Sequence, residues 1–544
     1  MRRRSRSQGP PEVPPPASPR TPLSPQSSGC RHASDPRAGA VESVPSQTAE
    51  TPIADHGEPA VPPPAWAPVL LVAAAAATFL LALSGRFGYF GDELYFLVSG
   101  KYHFAWGYAD NPWLVPALAR LADALFPGSV VALRVLPALL TGLGVVLAAL
   151  LAREFGGARR AQLLAAGACA TSLQLLGAGH LLATYLLDPV LWTLTCWLLV
   201  RWVRTRRDRL LLFAGLATAV AMQVKFLIVF LWLAVGLAAL VTGPRELVRR
   251  PLLWAGAAVT AALTVPTVLW QARHGWPYLD MQAIVAEQVD RFMGGPGLLV
   301  PLAVVFAGLP VGAFLACHGT GQLLRSPRYR FLGVAAVLVA LIFVLTVGRY
   351  YYVSGLYPLL FGASAARIER WRPARWWRWV PTWPSYLLAA AIAVFAALPV
   401  RPLSMITSTD FVASGSYGWP ELTDTVAAAY RALPPEDRAR AIVMGDTYWQ
   451  ASALDFFGRQ RGLPAAYGPE RGSWYNAEPP EGAGPVLYTG SDAARLGRFF
   501  GEVRQVATVH LPIRRDNVNQ DVPVWLCRAP REPWPLLWQR MHRA

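Results

Sequence analysis

Long unbroken apolar runs dominate this chain between residues 66 and 400, in place of the strict alternation of a half-buried strand. They fall at 66–85, 129–152, 161–182, 187–203, 210–223, 226–242, 251–270, 297–317, 330–347, 351–367 and 384–400. A bilayer core about 30 Å thick takes roughly 20 helical residues to cross. The pattern therefore predicts an α-helical polytopic membrane protein of about eleven spans, its transmembrane part covering residues 65–400. The first run carries no convincing small-residue cleavage site and follows a long polar segment, so it reads as a signal-anchor span. That segment, residues 1–64, is rich in Pro, Ser and Arg and almost free of aromatics, the composition of a disordered tail. Past residue 400 the pattern changes. "RARAIVMGDTYWQASALDFFG" reads as a short buried strand followed by an amphipathic helix and "AGPVLYTG" as another strand, so 401–544 is expected to be a soluble α/β domain.

Composition agrees with a membrane protein: 54% of the 544 residues are hydrophobic and only 15% charged. The net charge of +17 is dispersed in short clusters rather than gathered on one face, which argues against nucleic-acid binding. Those clusters are at Arg153/Arg159/Arg160, Arg201 to Arg209, Arg245/Arg249/Arg250, Arg325/Arg328/Arg330 and Arg367 to Arg378. They occupy alternate loops, which the positive-inside rule assigns to the cytoplasm together with the N-terminal tail. The loop 86–128, the turns at His180 to Leu187 and at Lys225, the loop 272–296, the stretch at Arg349 and the domain 401–544 then lie outside a plasma membrane. Five cysteines show no CxxC spacing, so neither a disulfide framework nor a zinc site is indicated.

The loop after the first run, "FGYFGDELYFLVSGKYHFAWGYADNPW", holds Asp92, Glu93 and Asp110, ten aromatic residues and one of only two lysines in the protein. Neighbouring residues on a helix point about 100° apart, so Asp92 and Glu93 cannot enter one pocket equally. One is free for chemistry while the other orients it. A structural alternative is that they cap an interfacial helix whose aromatics sit among lipid headgroups.

The order of a first span, "GDELYF", "ADNPWLVPAL" and a span opening "ALRVLPAL" resembles the polyprenyl-phosphate-sugar-dependent glycosyltransferases of the C type. The branch is that of the protein O-mannosyltransferases and the lipid A aminoarabinose transferases. "ATYLLDPVLWTL", "GLATAVAMQVKF", "QARHGWPYLD", "RYYYVSGLYPLL" and "YWQASALDFFGRQRGLP" continue the likeness in the family's order, from about residue 80 to 480. The resemblance implies a polyprenyl-phosphate sugar as donor and an acceptor outside the cytoplasm. It places the family's first-loop acid pair on Asp92 and Glu93, with Asp92 as base, and its second external acid on Asp188. The chain departs from the aminoarabinose transferases at Asp110, Asn111, Pro112 and Trp113, where those enzymes carry a lysine.

Transfer from a lipid phosphate needs a base at the acceptor hydroxyl, cations for the leaving phosphate and a path for the lipid. Lys101, Lys225, Arg273 and Arg349, with Asp110 and Tyr351, are the external residues expected to contact the donor. Each has a plainer alternative. Lys225 can be a snorkelling anchor, Arg273 and Arg349 interfacial anchors, and Asp188 a helix cap before Pro189. His180 and His274 are available to a divalent metal, but no two ligands stand at a metal-site spacing, and metal dependence is left open. A lipid-linked-sugar transporter would need broken helices with polar residues at mid-membrane, and an assembly protein would tolerate replacement of the loop acids.

Overall fold

The computed structural model of the chain describes residues 61–371, 373–407, 410–512 and 517–543. Nearly all of the expected tail, residues 1–60, lies outside them. The described chain is mostly helical up to residue 400, with a small sheet in the C-terminal segment.

Four helices are long and apolar enough to cross a membrane: Trp66–Leu83, Val130–Glu154, Thr184–Thr205 and Pro251–Arg273. A fifth span is formed if Pro277–Met293 and Pro296–Phe306, bent by 71°, count as one. Eleven unbroken spans are therefore not found. The apolar runs are present, but several are folded as shorter or interrupted helices. The run 161–182 is split at Thr171, where Ser172 caps a second helix, Leu173–Ala178. The run 297–317 is split at Gly308, and 351–367 starts in a 3-10 turn, Tyr350–Leu356, before becoming the helix Tyr357–Arg370. Arg209–Met222, Ile228–Thr242, Arg330–Leu345 and Trp383–Ala397 are apolar helices of 14 to 16 residues. Outward positions such as Leu71, Leu237, Leu263 and Phe395 remain exposed, as lipid-facing side chains do.

Small residues and buried ion pairs hold the helices together. Arg209–Met222 crosses Pro251–Arg273 at Gly215 and Gly256, so closely that a Cβ on Gly215 would stand 2.4 Å from the Gly256 Cα. At one end of Val130–Glu154, Arg134 grips Glu93 at 2.6 Å; at the other, Glu154 receives Arg204 of Thr184–Thr205 at 2.7 Å.

The C-terminal sheet has five strands in the order Ala466–Tyr467, Ile442–Gly445, Val486–Thr489, Pro523–Pro530, Phe500–Thr508. The first three are parallel, Pro523–Pro530 runs antiparallel to both of its neighbours, and both expected strands and the expected helix, Tyr448–Gly458, are present. One sheet face packs Val443 and Leu487 beneath Trp419–Arg431 and Tyr448–Gly458, in a core that also holds Leu94, Tyr95 and Leu97 of the first loop. The other face packs Ile442, Met444 and Tyr488 beneath Trp534–Met541. The loop helix and the sheet domain thus share one hydrophobic core.

Candidate active site

The first loop folds into the helix Gly91–Tyr102, and its two leading acids part company there. Glu93 is fully buried. Its carboxylate accepts the Phe90 N–H at 2.9 Å and the Leu182 N–H at 3.1 Å, and takes two hydrogen bonds from Arg134, Nη2 at 2.6 Å and Nε at 3.0 Å. Arg134 also donates to the Ser84 and Gly88 carbonyls. Glu93 therefore caps the helix and ties the start of the loop to Val130–Glu154 and to the residues before Thr184–Thr205. A buried charge held this way has little freedom to exchange partners.

Asp92 is half-buried and lines a cavity of about 1170 Å³. Its Oδ1 accepts the Tyr448 hydroxyl at 2.7 Å and the Trp449 indole N–H at 2.8 Å. No described residue donates to Oδ2. One carboxylate oxygen is anchored and the other is left for the cavity. Gly91 makes this possible, since a Cβ there would lie 2.3 Å from the Trp449 ring. The loop aromatics serve the same joint. Phe90 meets Trp449 at 5.0 Å, Tyr95 meets Tyr448 at 5.2 Å and Tyr89 meets Phe456 at 5.5 Å. These residues pack on the C-terminal domain rather than among headgroups, because their apolar faces complete the shared core; Phe104 and Trp106 are the exposed ones.

Asp110 lines the same cavity and accepts the Tyr95 hydroxyl at 2.9 Å. Burial raises its pKa above the usual carboxylate value, against the pull of Arg471 and of the Tyr95 hydrogen bond. Burial and the Asp92 charge together hold the Tyr448 phenol well above its ordinary value, so it stays a hydrogen-bond donor.

Four cations line the same cavity, Lys225, Arg349, Arg401 and Arg471, and Arg401 is paired with Asp410. Among the described residues Lys225, Arg349 and Arg471 form no ion pair with a carboxylate. The Lys225 ammonium lies 4.4 Å from the Tyr352 ring centre and 5.5 Å from that of Tyr351. Arg349 donates to the Tyr351 hydroxyl at 2.8 Å and to Gln288. Arg471 stacks over Tyr448 at 4.5 Å. Burial works against the Arg471 cation, but Tyr448, Asp110 and Glu470 hold its pKa above the ordinary arginine value. The Nε atoms of Arg349 and Arg471 are buried without a hydrogen-bond partner, so the protein does not fill the donor capacity of either guanidinium.

The helix Pro277–Met293 lays one face on the cavity through Tyr278, Met281, Val285, Gln288 and Phe292, spaced three and four residues apart. With Leu298, Leu302 and Phe306 from the other arm of the bend, this wall is apolar away from the charged end.

Other expected site residues fall elsewhere. Asp188 is buried beside the cavity but does not line it. It accepts the Trp192 indole N–H at 3.1 Å, and it sits inside Thr184–Thr205 rather than capping a helix that starts at Pro189. Lys101 pairs with Asp123 at 2.8 Å at the far end of its helix. Arg273 is exposed at the end of Pro251–Arg273 and lines no part of the cavity. His180 is buried 3.4 Å from Arg134, and His274 is exposed and stacked on Trp270. No group of three His, Cys, Asp or Glu comes together as a metal site among the described residues. Tyr448, Trp449, Glu470 and Arg471, supplied by the C-terminal domain, escaped the sequence reading. The quoted stretch "YWQASALDFFGRQRGLP" contains the first two, so a signal was present there without a role attached.

Residues 110–270 match the model of the dolichyl-phosphate-mannose-protein mannosyltransferase family. No curated protein matches the chain. Among solved structures, ArnT from Cupriavidus metallidurans in the apo state is 16% identical, with a TM-score of 0.57 over 84% of this chain and 97% of that one. ArnT from the same organism bound to undecaprenyl phosphate is also 16% identical, with a TM-score of 0.55 over the same shares. The chain thus shares the fold of ArnT.

Proposed function

We propose that this protein is a membrane glycosyltransferase that moves a sugar from a polyprenyl-phosphate-linked donor to an extracytoplasmic acceptor. The observation that carries the proposal is the cavity itself. It combines one anchored carboxylate with a free oxygen, three cations free of carboxylate ion pairs, and an apolar wall running away from them. The cations suit a lipid phosphate and the wall suits the first isoprene units of its chain. The similarity to ArnT, one structure of which holds undecaprenyl phosphate, supports the same reading.

In this reading the acceptor hydroxyl attacks the anomeric carbon while Asp92 Oδ2 takes its proton. The bond from the anomeric carbon to the phosphate oxygen breaks, and its electrons leave with the lipid phosphate. Negative charge grows on that phosphate as the bond opens, so Lys225, Arg349 and Arg471 act on the transition state more than on the bound donor. Tyr448 and Trp449 hold Asp92 in position, and Glu93 with Arg134 fixes the helix that carries it. A transporter would also use the broken helices seen here, but it needs no carboxylate held at a single oxygen beside three cations.

The alternate arginine clusters of the sequence favour a cavity that opens to the outer face of a plasma membrane. A deletion strain tests both donor and acceptor by mass spectrometry of lipid-linked sugars and envelope glycans. Accumulation of one polyprenyl-phosphate sugar and loss of that sugar from one envelope component is the expected result. An unchanged profile of both would overturn the proposal.

A further inference from the structure

A second hollow, of about 450 Å³, lies at the opposite end of the helices from Asp92. Val130–Glu154 links the two regions. Arg134 holds the Asp92 helix near its start, Phe155 lines the second hollow at its end, and the 20 residues between Arg134 and Glu154 span about 30 Å at roughly 1.5 Å each. The hollow sits where Val130–Glu154, Val311–Arg325 and Tyr357–Arg370 all terminate. Four arginines line it, Arg325, Arg328, Arg367 and Arg370, with Phe155, Tyr329 and Trp371 between them.

Positive-inside sorting and the negative ends of helices explain arginines at such a place, but they do not call for a hollow among them. No carboxylate lines this one, and among the described residues none of the four arginines has a carboxylate ion pair. Their own contacts are to carbonyls and rings. Arg325 donates to Gly321 O, Arg370 to Ala366 O, and Arg328 to Val203 O and Arg204 O, while Arg367 stacks over Trp371 at 4.0 Å. Carbonyl dipoles carry only fractional charge, so the four guanidiniums, three of them on exposed side chains, have no carboxylate among the residues that line the space, and Glu154 beside Phe155 is taken by Arg204. The nearby carboxylate of Glu369 faces away, accepting the backbone N–H groups of Ala158 and Ala161.

The tryptophans set the depth of the site. Trp371, Trp376, Trp379 and Trp383 are 61%, 76%, 50% and 75% exposed along one short segment, the signature of a headgroup-level belt. We infer that this hollow binds the phosphodiester headgroup of an anionic phospholipid in the leaflet opposite the catalytic cavity. The guanidiniums would hold the phosphate, and the aromatic rings the glycerol and upper acyl chain.

The test is native mass spectrometry of the full-length protein in detergent micelles, titrated with dioleoylphosphatidylglycerol or dioleoylphosphatidylcholine. The wild-type protein should retain phosphatidylglycerol in preference to phosphatidylcholine. Arg325→Gln/Arg370→Gln should bind it roughly 25-fold more weakly, the equivalent of about 1 kcal/mol per arginine. Arg159→Gln/Arg160→Gln, which removes the same charge from exposed positions outside the hollow, should bind as wild type. Equal weakening in both double variants, or no preference in the wild type, would overturn the inference. Displacement of the lipid by millimolar inorganic phosphate would overturn it in favour of a soluble phosphate ligand.

Discussion

Two adjacent carboxylates in the first loop have opposite surroundings. Glu93 is sealed in a bidentate pair with Arg134 and accepts four hydrogen bonds. Asp92 is bound through one oxygen only, and Lys225, Arg349 and Arg471, which line its cavity, have no carboxylate ion pair among the described residues. A buried charge that is fully paired serves the fold, because removing its partner strands the other charge. Charges of both signs held apart around a cavity cost the fold some stability, and a ligand that carries charge is what recovers it. The difference between residues 92 and 93 is thus a difference between holding the molecule together and leaving room for a substrate.

The largest expected effect falls on the open acid. Asp92→Asn keeps the shape and both hydrogen bonds at Oδ1 but cannot take a proton, so turnover should fall roughly 10³-fold with an unchanged melting temperature. Turnover within a few-fold of wild type would make Asp92 a second structural acid and erase the contrast with Glu93. Glu93→Gln should show the reverse pattern. It leaves Arg134 buried without a counter-charge and turns one of two accepting oxygens into a donor, and unfolding should become easier by about 3–5 kcal/mol, read as a lower melting temperature in detergent. A stable, inactive Glu93→Gln protein would move the chemistry to residue 93.

Lys225→Ala should lower turnover about 10²-fold, the scale of one lost electrostatic donor, and Lys225→Arg should restore only part of it. A snorkelling anchor predicts near-normal turnover in both. The smallest effect concerns Asp110. Its folded-state pKa is raised, so its contribution to stability is complete below the unfolded value and is lost as pH rises through the folded one. Asp110→Asn should therefore be the more stable protein at neutral pH, by roughly 2 °C in melting temperature, and the gap should close as pH falls towards 4. A gap independent of pH would mean that Asp110 carries no such burial penalty.

Much of this site was legible in the chain. Asp92, Asp110, Lys225, Arg349 and Tyr351 all line the cavity, and each stood out as a charged or aromatic residue beside a long apolar run. Lys101 and Arg273 stood out equally and do not reach it. Topology assigns a residue to one side of a membrane but not to a lateral position, and Lys101 sits at the other end of a 12-residue helix from Asp92. Tyr448, Trp449 and Arg471 are more than 350 residues from Asp92, and no local spacing reports a contact of that range. The span count failed for a related reason. Hydropathy averages over a window and passes smoothly across the breaks at Thr171 and Gly308, which the backbone shows directly.

In the proposed mechanism Lys225, Arg349 and Arg471 serve to hold a lipid phosphate. Binding of polyprenyl phosphate to the purified full-length protein, compared with Lys225→Gln/Arg349→Gln/Arg471→Gln, measures it without need of the sugar or the acceptor. Micromolar or tighter binding by the wild type and at least a roughly 100-fold loss in the triple variant, with its fold intact by circular dichroism, is the predicted result. Equal affinity in the two proteins would contradict the account.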